Sequence, residues 1–156
     1  FNRRYFFAQG EAEFRRCRRY SSPLSLLLLD FDQFKSINDR LGHEAGDRVI
    51  EVFGQLFVKI MREHDLPARM GGEEFIALLP ETPIEGAYVV AERLREALQT
   101  QPITLANDII YVTASIGIAE TRHDEDTLQS LINRADGAMY LAKSTGRNRV
   151  CKAGDH

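Results

Sequence analysis

The succession of hydrophobic patterns between Leu24 and Ile118 predicts an α/β fold that runs strand, helix, strand, strand, helix, strand. Three observations carry this reading. Leu24 to Leu29 is a nearly unbroken apolar run behind Pro23, as in a strand covered on both faces. Leu66 to Met70 and Phe75 to Leu79 flank Gly71-Gly72-Glu73-Glu74, and glycines between apolar runs signal a hairpin, because tight turns need positive φ at their centre. Val112, Ala114, Ile116 and Ile118 alternate as a half-buried strand does. A βαββαβ order of this kind is the ferredoxin-like core, a central, mainly antiparallel sheet surrounded by helices.

The elements follow in order. Asn2 to Arg19 carries Phe7, Phe14 and Cys17 on a helical spacing, and Arg15, Arg16, Arg18 and Arg19 read as its solvated face. The first strand ends at Asp30. Asp32 is expected to cap a short helix from Gln33 to Arg40, which Gly42 interrupts. Val49, Val52, Phe53, Leu56, Phe57 and Ile60 form one apolar stripe on a long helix. Ile84, Ala87, Ala91, Leu94 and Leu98 mark the next helix. Leu128, Leu131, Ile132, Ala135, Met139 and Ala142 mark the last, followed by a short strand around Val150.

Composition narrows the function. The 156 residues suit one domain spanning 1–156, with 44% hydrophobic and 28% charged residues, as in ordinary globular proteins. A net charge of -3 gives no electrostatic footprint for nucleic acid. Cys17 and Cys151 lie at opposite ends and the four histidines form no ligand pattern, so neither a disulfide framework nor a zinc site is expected. No apolar run is long enough to cross a bilayer and no signal peptide is visible; the cysteine usage fits a reducing compartment, and a cytoplasmic domain is the expectation. The chain opens at Phe1 in an already helical pattern, without methionine, and reads as a module of a longer protein.

In this topology the first strand and the hairpin are neighbours, so Asp30 should face Glu73 and Glu74. Carboxylate oxygens gathered without histidine or cysteine suit a hard cation such as magnesium. Gly71 and Gly72 have no side chains, so a phosphate can approach the backbone closely. Taken singly, each feature has a plainer reading: an acid after a strand is usually a turn or cap residue, and Gly-Gly is a common hairpin.

Gly71-Gly72-Glu73-Glu74-Phe75 resembles the signature of GGDEF-domain diguanylate cyclases, in the variant with glutamate third. The resemblance covers nearly the whole chain. It includes Asn2-Arg3-Arg4, Leu29-Asp30-Phe31-Asp32-Gln33-Phe34-Lys35, Ile37-Asn38-Asp39, Gly42-His43 and Gly46-Asp47. It continues through Ala91-Glu92-Arg93, Ser115-Ile116-Gly117, Ala135-Asp136 and Ala142-Lys143 to Gly146-Arg147-Asn148. The family's usual Asp-x-Leu-Thr-Gly-Leu stretch would precede Asn2.

The resemblance implies an enzyme that condenses two GTP into cyclic di-GMP and releases two pyrophosphates. It implies Mg2+ as cofactor, with Mn2+ as an alternative, on Asp30, Glu73 and the Phe31 carbonyl. Glu74 is implied as a further ligand or as the group that activates the attacking 3′-hydroxyl, and the sequence leaves open which glutamate takes the proton. Asn38 and Asp47 are implied as guanine readers, with His43 close to the substrate. Lys35, Lys143 and Arg147 are implied as phosphate-side cations, Lys35 at the transferring phosphoryl. Arg62-Glu63-His64-Asp65, with Arg93 in support, resembles the family's inhibitory RxxD site for the product. The family reading makes the chain the C-terminal part of a signalling protein that works as a homodimer. An upstream sensory region, anchored to the inner membrane in some architectures, would then supply dimerisation. The alternatives are a receptor that binds GTP or cyclic di-GMP without turnover, and a different nucleotidyl transferase on a related palm-like core.

Overall fold

The computed structural model describes residues 2–124 and 127–155, and Phe1, Glu125, Asp126 and His156 lie outside them. In chain order the elements are α1 (Arg3–Arg19), β1 (Leu24–Phe31), α2 (Phe34–Leu41), α3 (His43–Ile60), β2 (Leu66–Gly71) and β3 (Glu74–Pro80). They continue with α4 (Ile84–Thr100), β4 (Ile103–Thr104), β5 (Ile109–Ile110), β6 (Ala114–Glu120), α5 (Leu128–Ser144) and β7 (Arg149–Lys152). The main sheet has the strand order β2-β3-β1-β6-β7, antiparallel except for the parallel pair β6 and β7.

β1 is central because both its faces are apolar. Leu24, Leu26 and Leu28 enter one core with Phe6 and Phe14 of α1 and Leu131, Ala135 and Met139 of α5. Leu27, Leu29 and Phe31 enter a second core with the apolar stripes of α3 and α4. Phe31, Phe53, Phe57 and Phe75 meet there with ring centroids 4.8–5.7 Å apart. Burying each such ring contributes roughly 1.5–3 kcal/mol. The cluster ties α3 to the ends of β1 and β3, where the acids emerge.

Gly117 sets how closely α5 approaches the sheet. A Cβ there would overlap the carbonyl oxygen of Ala135 and the amide nitrogen of Met139, both backbone atoms of α5. The bare position lets α5 lie directly on β6 and carries Lys143, near the end of α5, to the end of β1.

The structure departs from the sequence reading at two places. Asp32 does not cap α2: the cap position is Gln33, in a left-handed conformation at φ 56° with no side-chain hydrogen bond. The backbone of Asp32 continues the ladder, its N–H donating to the Thr113 carbonyl at 2.8 Å, so its side chain turns toward β6 instead of the helix. Val112 lies before β6, and the segment between α4 and β6 forms the small β4–β5 ladder. Pairs of two residues are too short to leave a periodic signal.

Candidate active site

The carboxyl end of β1 and the β2–β3 turn form one corner. Asp30 is paired with Glu74 across the β1–β3 ladder, and the Phe31 N–H reaches the Glu73 carbonyl at 3.4 Å. Gly71 pairs with Glu74, leaving Gly72 and Glu73 at the tip of the turn. Gly71 at φ 141° and Gly72 at φ 53° hold backbone that other residues rarely adopt, and Arg69 braces the turn by donating to the Gly72 carbonyl at 2.8 and 3.1 Å. The sequence-predicted neighbourhood of Asp30, Glu73 and Glu74 is present.

Asp30 is electrostatically strained. Its carboxyl pKa is pushed up to about 6, first by burial and then by the charges of Glu73 and Glu74, with Lys143 acting in the opposite direction. Its Oδ1 is buried without a hydrogen-bond partner. Glu74 is likewise raised, by burial and by the neighbouring Asp136 and Glu73. Among the described residues no three acid, histidine or cysteine side chains already converge as a metal cluster. The donor set nevertheless fits a hard cation: a buried carboxylate oxygen without a hydrogen-bond partner, a main-chain carbonyl and two glutamates whose mutual repulsion a divalent ion would relieve.

Lys143 stands on that carbonyl. Its Nζ donates to Phe31 O at 2.8 Å, Asp30 O at 3.3 Å and Asp32 Oδ1 at 3.1 Å, and lies 3.6 Å from Asp30 Oδ1. Asp32, expected from the sequence to cap α2, instead organises this end of the sheet. Besides Lys143, it accepts from Thr113 Oγ1 and Ser115 Oγ, each at 2.7 Å, and from the Asn148 N–H at 2.9 Å. Burial pushes its pKa up, but the bonds from Ser115, Thr113 and Asn148 and the Lys143 charge outweigh it, so the carboxyl is held below its ordinary value. The usable signal was the two-residue spacing of Asp30 and Asp32, the period of a strand.

The implied guanine readers sit on α2 and α3. Asn38 is half-buried, and its Oδ1 is buried with no partner. A Cβ on Gly46 would overlap that oxygen, so Gly46 leaves the cradle in which it sits. His43 and Asp47 are exposed, as is Lys35 in the first turn of α2. Arg147 lies beyond the end of α5, exposed, in a left-handed conformation at φ 63°. It shares a cavity of about 390 Å³ with Asp32, Arg40 and Asn148.

The Arg62–Asp65 pair is a preformed unit at the opposite end of β3. Asp65 is buried and accepts from the Arg62 N–H at 2.8 Å and from Arg62 Nη2 and Nε at 3.2 and 3.3 Å. Arg62 also donates to Thr82 Oγ1. Its exposed guanidinium faces an open groove of about 480 Å³ with Arg16, His64 and Glu81. Arg93 is exposed on α4 and does not line that groove. A larger groove of about 730 Å³, at the end of α1, contains none of the predicted site residues.

Comparison with known proteins gives a consistent picture. The family model described as diguanylate cyclase, GGDEF domain, matches residues 1–149. The response regulator PleD of Caulobacter vibrioides is 41% identical over 151 residues, covering 96% of this chain and 33% of that protein. The chain therefore spans about a third of that relative's length. Among solved structures, the active GGEEF domain of a diguanylate cyclase from Vibrio cholerae superposes with a TM-score of 0.92 at 35% identity, covering 99% of this chain and 98% of that one. The GGDEF domain of DgcB from Caulobacter crescentus, in complex with c-di-GMP, gives 0.94 at 30% identity, with 99% and 91% covered. Among the described residues no helix is long and apolar enough to cross a membrane.

Proposed function

Because this chain belongs to the GGDEF-domain diguanylate cyclase family, we propose that it condenses two GTP molecules into cyclic di-GMP. The observation that carries the reading is the corner itself: Asp30, in register with Glu74 and beside Glu73, with one carboxylate oxygen buried without a hydrogen-bond partner and the Lys143 charge nearby. Such a corner suits metal-bound triphosphate. Each 3′-hydroxyl oxygen bonds to the α-phosphorus of the other nucleotide, the bond to pyrophosphate breaks, and the hydroxyl proton leaves to a base.

Asp30, Glu73 and the Phe31 carbonyl would hold magnesium or manganese. The ion would lower the hydroxyl's pKa and offset charge on the departing pyrophosphate. Glu74 would serve as a further ligand or as the acceptor of the hydroxyl proton, a role it shares as a candidate with Glu73. Lys143, which rests on the Phe31 carbonyl, would swing onto phosphate oxygens, with Arg147 and Lys35 adding charge on that side. Asn38 would turn its partnerless oxygen out of the Gly46 cradle to accept from the N–H donors on guanine, and Asp47 would offer a carboxylate to the same edge. Adenine lacks those donors, which favours GTP over ATP.

The decisive experiment is mass-spectrometric product identification after incubation of the full protein with GTP and Mg2+. Cyclic di-GMP is expected. GTP binding without product would favour a receptor, and a linear or adenine-containing product another nucleotidyl transferase. Glu73→Gln should lower turnover by about a thousandfold or more, because it removes one charged metal ligand worth several kcal/mol in the transition state. A variant with wild-type rate would remove Glu73 from the site.

The ring closes between two nucleotides, so two domains related by a two-fold axis are needed, each holding one GTP. The rate per domain should then fall on dilution, and a concentration-independent rate from a verified monomer would exclude this arrangement. For Arg62 and Asp65 we propose product binding that restrains catalysis, supported by the exposed guanidinium above its groove. Arg62→Ala should weaken inhibition by cyclic di-GMP about tenfold or more, the worth of charge-assisted hydrogen bonds. Inhibition curves that coincide with wild type would remove the second site.

A further inference from the structure

We propose that Arg95 is a positioning residue for the substrate's outer phosphates. Acting through Asn148, it holds the Gly146–Arg147–Asn148 turn in the conformation that presents Arg147. The proposal rests on the GTP-binding reading above.

Three successive residues of this turn have left-handed backbone, Gly146 at φ 133°, Arg147 at φ 63° and Asn148 at φ 45°. For a residue other than glycine that conformation costs about 1–2 kcal/mol, so the surroundings must hold it in place. Two long-range tethers do so, and both end on Asn148. Its N–H donates to Asp32 Oδ2 at 2.9 Å, and its Oδ1 accepts from Arg95 Nη1 at 3.0 Å. The Arg147 N–H closes the base of the turn on the Ala142 carbonyl at 2.9 Å.

Arg95 is built as a rigid strut. Its guanidinium grips Glu92 with two bonds of 2.7 and 3.0 Å, and Nη1 also donates to Gln99 at 3.1 Å. Its side chain is only 15% exposed. These bonds within α4 fix the guanidinium and neutralise its charge, leaving an aimed N–H for Asn148. Arg95 makes no contact with Asp30, Glu73 or Glu74 among the described hydrogen bonds and ion pairs, so its effect on the substrate passes through the turn. Arg147, between the tethered Asn148 and Gly146, lines the same cavity as Asp32 and Arg40. Without Arg95 the turn keeps one tether on Asn148, and the Arg147 side chain samples orientations away from the phosphates.

The prediction separates phosphate positioning from general stability. Titration of a non-hydrolysable GTP analogue and of GMP into wild type, R95M and R95K should show R95M losing about tenfold for the triphosphate and under twofold for GMP, as expected for one misplaced charge-assisted contact. Lysine at 95 restores part of the loss, and KM for GTP rises while kcat is held. N148G tolerates the left-handed backbone, keeps the N–H that donates to Asp32 and removes the side chain that accepts from Arg95, so it carries the test if R95M fails to fold. It should reproduce the R95M loss, with the double variant no worse than either single one. Equal losses for GTP analogue and GMP, no loss, or additive losses would overturn the proposal. Absence of nucleotide binding by the wild type would overturn the reading beneath it as well.

Discussion

Asp30→Asn should abolish formation of the cyclic product and, in the same protein, raise the melting temperature of the nucleotide-free domain at neutral pH. The two effects have one cause. Asp30 has an ordinary carboxyl value of 3.8 and is pushed up to about 6 in the fold by burial and by Glu73 and Glu74. Below about pH 4 both folded and unfolded chains hold the proton, and Asp30 contributes no pH dependence. Between about pH 4 and 6 the folded chain keeps a proton that the unfolded chain has released, so stability falls as pH rises. Above about pH 6 the penalty is complete. A shift of about two units corresponds to at most about 3 kcal/mol, and solvent screening of the partly open corner reduces that to about 1–2 kcal/mol.

The asparagine variant is exempt from this penalty, so its advantage over wild type should appear as pH rises through 4–6. It should level off above that window. Thermal melts across the series, with product assays on the same samples, check both halves. Retained turnover would remove Asp30 from the chemistry. A variant less stable than wild type at pH 7 would mean that the Lys143 contact outweighs the crowding of acids.

Gly117→Ala has the largest expected effect on the fold. A methyl at that position meets backbone atoms of α5, the Ala135 carbonyl oxygen and the Met139 amide nitrogen, which cannot rotate aside as a side chain would. The helix has to lift from β6, loosening the contacts of Leu131, Ala135 and Met139 with β1. A loss of about 3 kcal/mol or more is expected, at the upper end of overpacking costs. For a chain of this size it corresponds to a melting temperature lower by about 6–12 °C. The same lift withdraws Lys143 from the Phe31 carbonyl, so any folded fraction should also bind nucleotide poorly. A melting temperature within about 2 °C of wild type would show that α5 is less tightly seated than the geometry indicates.

What the sequence carried openly were features that local physics writes locally. The unbroken leucines of β1, the alternation of β6 and the stripes of α3, α4 and α5 follow from burial on one or two faces. The turn at Gly71 and Gly72 follows from the backbone freedom of glycine. Once strand order was read from those patterns, the meeting of Asp30 with Glu73 and Glu74 followed, because in this topology neighbouring strands bring their ends together. The motifs around those residues imply their chemistry through the family resemblance. Only the tertiary structure showed what Asp32, Lys143, Arg95 and Gly117 touch. Asp32 joins Thr113, Ser115 and Asn148, which lie 81, 83 and 116 positions away, and Arg95 meets Asn148 across 53. A helical or strand period says which way a side chain points but not what it will meet there. For a buried carboxylate and for a glycine beneath a helix, the partner determines the role, and the partner is chosen when the sheet and its helices close on one another.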